Sequence, residues 1–297
     1  MGNISQTEVS GTLATIIAAQ ALGHLKANTV LARLVARDWD NEVATKGKSV
    51  VIARRGALSV NDKAEDTAVT LQTPSVSTYT VTLNKHKEIS FLIEDPVRAM
   101  ATPDYLNGYM EDAIKALAEQ VDGDIAALYS GFSQTINATA GLSEAHFRSA
   151  RRLLNAAKAP LADRYAVLHE DADYEFLGIE EVKNNAYRES LGGALALAYE
   201  SRFMGFNVFV DQKIATAGGQ CKNLFFQKYA AVLVTRPLPS VDAPGVTQSV
   251  MSEDGVGLRV TLSYNPNYLG MQCTVDVLYG VAELRDEFGV VVSTAEI

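Results

Sequence analysis

A chain of 297 residues, 47% hydrophobic and carrying a formal charge of −9, can bury a substantial core as one large or two modest domains. Its ordinary apolar fraction excludes disordered and collagen-like chains, and an acidic balance without any block of like charge excludes a basic arm that grips nucleic acid. No apolar stretch approaches the roughly 18 residues of a membrane span.

The opening MGNISQTEVSGTLATIIAAQALG has no basic segment ahead of its mildly apolar stretch, and Gln6 spoils a myristoylation match. A soluble cytoplasmic product is expected. Leu13, Ile16, Ile17, Ala21 and Leu25, then Val30, Leu31, Leu34 and Val35, recur at helical spacing and predict one or two short helices ending near Trp39. From Ser49 the pattern turns to β: SVVIAR, then the polar SVNDKAEDTAVTLQTPSVSTYTVTL (59–83), then KHKEISFLIED. Tyr79, Val81 and Leu83 fall on one face and Thr78, Thr80 and Thr82 on the other, the period of a half-exposed strand. The pattern predicts a two-stranded antiparallel ribbon turning within NDKAEDT. A lone hairpin is marginal in water, so this one must rest on something else.

Leu106, Met110, Ala113, Ile114, Leu117, Val121, Ile125 and Leu128 form an apolar stripe opposite Glu111, Lys115 and Glu119. They predict a helix from Pro103 and Asp104 to Gly131, roughly 25 residues and about 38 Å long. Ser143 is an N-cap, with Leu142 and Phe147 placed as a hydrophobic staple, for a helix that Pro160 stops. A strand RYAVLH (164–169) and a helix from Asp171 to about Val182 follow, and after Gly205 come FNVFVD, NLFFQKYAAVLVT, GLRVTLSY, QCTVDVLYGVAEL and FGVVVS, all read as strands. This order is α+β, without the alternation of a wound parallel sheet.

Chemical signatures are sparse. No P-loop, dinucleotide fingerprint, nucleophile elbow or zincin motif occurs, and Gly192-Gly193 and Gly218-Gly219 read as flexible loops. HEDAD (169–173) gathers one histidine and three carboxylates, but at a helix start, where acidic residues complement the dipole. Cys221 and Cys273, in no paired spacing, read as buried thiols of a reducing compartment. No cofactor, no metal and no catalytic residue is expected. Arg54 and Arg55, beside the ribbon, suit a carboxylate on another subunit better than a ligand.

Three stretches carry a resemblance: LARLVARDWDNEVATKGKSVVIARRGALSVNDK, PDYLNGYMEDAIKALAEQVDGDIAAL and LSEAHFRSARRLLNAAKAPLADRYAVLHEDADYEFL. With the closing MGFNVFVD, KYAAVLVTRPLP and VDVLYGVAELRDEFGVVV, their order over residues 30–297 resembles the major capsid (coat) protein family of tailed bacteriophages, the Hong Kong 97 fold. The resemblance implies an arm at 1–46, an extended loop at 47–94, a peripheral domain at 95–160 plus 272–297 with a spine helix at about 104–130, and an axial domain at 161–271. It implies a structural protein and no enzyme, assembled in the host cytoplasm as hexamers and pentamers of an icosahedral virion shell. The shell would enclose double-stranded DNA without specific binding or any membrane.

A separate scaffold protein is expected, since no long segment precedes the arm, along with a portal and an optional decoration protein. Arg54, Arg55, Asp62, Lys63, Glu65 and Asp66 become candidate inter-subunit contacts. Lys63 lies near the turn, but no partner asparagine and catalytic glutamate are identifiable, so a crosslink is not carried over. An encapsulin-like compartment, which shares the fold, is the alternative, and an acidic cytoplasmic enzyme the more distant one.

Overall fold

β-Branched residues at alternate positions give strand β1 (Ser49–Arg55) and strand β2 (Val76–Thr82), which pair antiparallel from Ser49 opposite Thr82 to Arg55 opposite Val76. The computed structural model that shows this describes residues 29–39, 48–56, 58–95, 105–183, 201–240, 245–253 and 256–296. The helix predicted over Leu13–Leu25, the start of the long helix at Pro103 and Asp104, and Gly192-Gly193 lie outside the described residues.

The pairing offset of the ribbon continues past its ladder. Gly56 N donates to Ser75 O at 2.7 Å, Ser59 N donates to Gln72 Oε1 at 2.9 Å, and Thr67 Oγ1 donates to Ala64 O at 2.9 Å. The chain reverses at Glu65 and Asp66, within the predicted NDKAEDT. Asp66, at φ 57°, supplies the left-handed residue that Asp tolerates better than most.

The stretch TYTVTLNKHKEISFLIED changes partners in its middle. After β2 the chain breaks at Leu83 and Asn84, and β3 (Lys85–Glu94) joins a different, five-stranded sheet. There it pairs with β12 (Gly270–Glu283), which also pairs with β11 (Val256–Asn265), itself paired with β10 (Val246–Glu253). The fifth strand, β9 (Ala231–Arg236), pairs with the end of β12. A six-stranded sheet takes the order β4 (Gln134–Ala138), β13 (Gly289–Ala295), β8 (Gln220–Gln227), β5 (Arg164–Leu168), β7 (Phe206–Val210), β6 (Ser201–Phe203).

NLFFQKYAAVLVT, read from sequence as one strand, is therefore two strands in two sheets. The break is a turn at Lys228–Ala230, where Gln227 Oε1 accepts from Tyr229 N at 2.9 Å. The β11–β12 hairpin spans the predicted boundary at 271/272, and the six-stranded sheet joins segments from both sides of 160/161.

The long helix α2 (Tyr105–Ala126) has 22 residues, about 33 Å at 1.5 Å each, and ends in a 3-10 turn over Ala127–Gly131. Ala113, Ile114, Leu117, Ala118, Val121 and Ile125 are buried along its stripe. Glu119 pairs not with the preceding turn but with Lys213, at 3.0 Å. In front of α2 lies the short helix α1 (Leu31–Leu34).

Helix α3 (Glu144–Ala156) starts as its cap predicts: Ser143 N donates to His146 Nδ1 at 3.1 Å, and Leu142 and Phe147 are buried. The helix predicted to run to Val182 is interrupted at Gly178, giving α4 (Glu170–Leu177) and α5 (Glu180–Lys183). Phe147 sits among Phe176, Phe203 and Phe225, with centroids 5.5, 5.0 and 4.9 Å away. One apolar cluster runs from these rings through α2 to Leu258 and Val275 of the five-stranded sheet. Between them the two sheets share a single core.

Candidate subunit-interaction surface

Directly opposed residues of a hairpin share a face. Val50, Ile52, Tyr79 and Val81 share one, and it packs on Val232, Val234, Leu284 and Trp39 as a separate small cluster. Gly280 of β12 lets β2 come close, because a Cβ there would collide with the backbone of Thr82. The base of the ribbon thus belongs to the subunit's own interior.

Past Gly56 the ladder ends, and Ser59 N and O bond to the side-chain amide of Gln72; the two runs leading to the turn carry Leu58, Val60, Val69 and Leu71. These apolar side chains have nothing over them: Leu58 is 64% exposed, Val60 98%, Val69 67% and Leu71 90%. Ser59, Asn61, Lys63, Thr70 and Gln72, which alternate with them in sequence, are exposed as well. The ribbon is packed at its base and bare, large apolar side chains included, towards its tip.

The residues singled out from sequence are distributed along the ribbon. Arg55, Asp62, Lys63, Glu65 and Asp66 are exposed, and Lys63 Nζ donates to the neighbouring Ala64 O at 2.8 Å. Arg54 differs: its guanidinium forms an ion pair with Glu287 and donates to Tyr79 Oη at 3.3 Å. The carboxylate expected from another subunit is supplied by the same chain. Leu58, Val60, Val69 and Leu71 were missed, although their alternation was visible. Without the turn at Glu65 and Asp66, the two runs could not be brought alongside one another.

The arm is held from beneath. Asp122, on the buried side of α2, accepts from Val30 N at 2.6 Å and Ala32 N at 2.9 Å, capping α1 with a carboxylate. Burial pushes its carboxyl up to about 7, helped by Asp211 and opposed by the backbone N–H groups. Further along, Ala36 N donates to Ala231 O at 3.1 Å, and Leu233 N donates to Ala36 O at 3.0 Å. These bonds extend the free side of β9. The arm, the ribbon base and β9 therefore form one seam.

No family model matches the chain, and no curated protein matches it. Solved structures do. A structure of Mycobacterium phage Che8 superposes with a TM-score of 0.66 at 19% identity, over 89% of this chain and 90% of that one. The capsid of cyanophage P-SCSP1u gives 0.63 at 16% identity, over 91% and 89%. The capsid of an empty GTA particle gives 0.61 at 12% identity, over 90% of each. Strands, long helix and ribbon together place this chain in the α+β capsid-subunit fold, the Hong Kong 97 type.

Proposed function

We propose that this chain is a major capsid protein, a structural and non-enzymatic subunit that assembles with copies of itself as hexamers and pentamers of an icosahedral phage-type head. The observation that carries this is the ribbon: large apolar side chains left bare on a hairpin whose base is packed, in a fold matching capsid structures over about nine-tenths of their length. The bare half is complete only when laid on a neighbouring subunit, with Arg55, Asp62, Lys63, Glu65 and Asp66 around it. The five-stranded sheet with α2 serves as the peripheral part, and the six-stranded sheet with α4 as the axial part that meets at the capsomer centre.

DNA is the cargo in this reading, held without specific contacts. The −9 charge supports this, because dense phosphate contacts would resist packaging. A separate scaffold, a portal and an optional decoration protein complete the head, which is built in the host cytoplasm. Among the described residues no helix is long and apolar enough to cross a membrane.

The test is assembly. Purified chain, alone or with its scaffold, is expected to give megadalton particles by size exclusion and electron microscopy, and the double variant Val60→Asp, Leu71→Asp to give folded subunits and no particles. A chain that stays monomeric at high concentration with scaffold present overturns the reading. Shells isolated from the native source that hold protein and no nucleic acid, made by a non-viral locus, would instead favour an encapsulin-like compartment.

A further inference from the structure

Helices α3 and α4 lie on the same face of the six-stranded sheet. Phe147 of α3 and Phe176 of α4 both meet the ring of Phe203 in β6, with centroids 5.0 and 5.5 Å away. These two rings, with Ala150 and Leu154 of α3 and Ala172 of α4, are buried and fix how each helix is rotated about its axis. Asp171 agrees with that rotation of α4, since its carboxylate accepts from Cys221 Sγ at 3.7 Å.

Each helix then presents an outward stripe, and the two stripes have the same spacing. On α3 the stripe is Arg148, Arg151, Arg152 and Asn155, all exposed. On α4 it is Glu170, Asp173, Tyr174 and Leu177, set at the same steps along the helix. Glu170 is exposed, Asp173 half-buried, Tyr174 75% exposed and Leu177 49%. One stripe is a row of arginines, and the other interleaves carboxylates with bare apolar side chains.

Little inside the chain answers either stripe. Arg148 Nε lies 3.5 Å from Glu144 Oε1, an exposed pair of the weak kind. Arg151 Nη1 donates to Met204 O at 3.2 Å, which leaves its charge unpaired. Among the described residues, the Arg152, Glu170 and Asp173 side chains have no hydrogen bond or ion pair, and none joins one stripe to the other.

A guanidinium takes a carboxylate through paired N–H groups and stacks on an aromatic ring. A row of arginines therefore suits a surface that sets Tyr174 and Leu177 among carboxylates, with apolar contact at the centre and charge around it. Phosphates of a nucleic acid would answer α3 but be repelled by α4. A second copy of the chain answers both.

We propose that the α3 stripe of one copy docks on the α4 stripe of the next, head to tail, so that each copy uses both. The proposal rests on the capsid reading and names the faces by which the six-stranded sheets of one ring meet. Because the two patches differ, each contact leaves a free patch at either end, and such a chain of contacts closes into a ring.

The test uses the full chain with two charge reversals, Arg148→Glu with Arg152→Glu on α3 and Glu170→Lys with Asp173→Lys on α4. Each reversed chain is expected to fold by circular dichroism and to lose at least about tenfold of the assembled material in sedimentation, because like charges then face one another. Combining all four substitutions in one chain, or mixing the two reversed chains, restores opposite charges at every contact and should restore rings. Lysines at the start of α4 oppose its dipole. Should that chain not fold, Tyr174→Ser with Leu177→Ser, which changes no charge, is expected to give the same loss of assembly and decides in its place. Reversed chains that assemble like the parent, a loss that neither the combination nor the mixture rescues, or rescued products no larger than a pair overturn the proposal and leave the capsid reading standing. Unchanged assembly with lost DNA binding by Arg148→Glu, Arg152→Glu would make nucleic acid the partner of α3 and overturn it as well. A parent chain that forms no assemblies removes both readings.

Discussion

Asp122 is a carboxylate on the apolar stripe of the long helix, 2% exposed, at a position where the sequence pattern gives no reason for one. Its task appears only when the arm is in place, because the N–H groups of Val30 and Ala32 need an acceptor. Its carboxyl, ordinarily near 3.8, rises to about 7 in the folded chain, chiefly through burial. Between those values the native state holds a proton that the unfolded state has released, so stability falls as pH rises through the window. The effect is on the order of 4 kcal/mol at most. Asp122→Asn is expected to flatten this fall, read as urea midpoints at about pH 5 and about pH 8. Equal slopes in variant and parent would show that the charge on Asp122 is not what the pH senses.

The ribbon was legible as a hairpin, and its turn was placed correctly within NDKAEDT. Its β2–β3 boundary was not, because alternation continues through Asn84 while the hydrogen-bonding partner changes from β1 to β12. A period of two records which side chains share a face and says nothing about which strand lies alongside. Removing Asp62–Val69 and joining Asn61 to Thr70 by Asn-Gly keeps the pairing offset and shortens the ribbon. The subunit should melt within about 2 °C of the parent, since its own core is untouched, and particles should fail to form. Loss of the fold instead would mean that the tip stabilises its own subunit.

The two sheets are joined by a single apolar cluster that includes Phe147 and Leu258. The unassembled subunit is therefore expected to unfold in one transition that both positions shift. Phe147→Ala should cost about 3–5 kcal/mol and Leu258→Ala about 2–5 kcal/mol, both being fully buried large-to-small changes. Circular dichroism and Tyr or Trp fluorescence should give coincident denaturant curves for each. Two separated transitions, each moved by only one of the variants, would show the sheets to be independent units.

Element types follow from side-chain periodicity, so the long helix at 105–126, the cap at Ser143, the ribbon and the closing strands could be read along the chain, and their order pointed to the capsid fold. Sheet membership, the Arg54–Glu287 pair, the cap from Asp122 and the meeting of Cys221 with Asp171 join residues between 50 and 233 positions apart. No local pattern encodes such distances. Even the polar-looking ribbon changed meaning once its turn was fixed: Val60 and Leu71 come level with one another only because Glu65 and Asp66 lie midway between them.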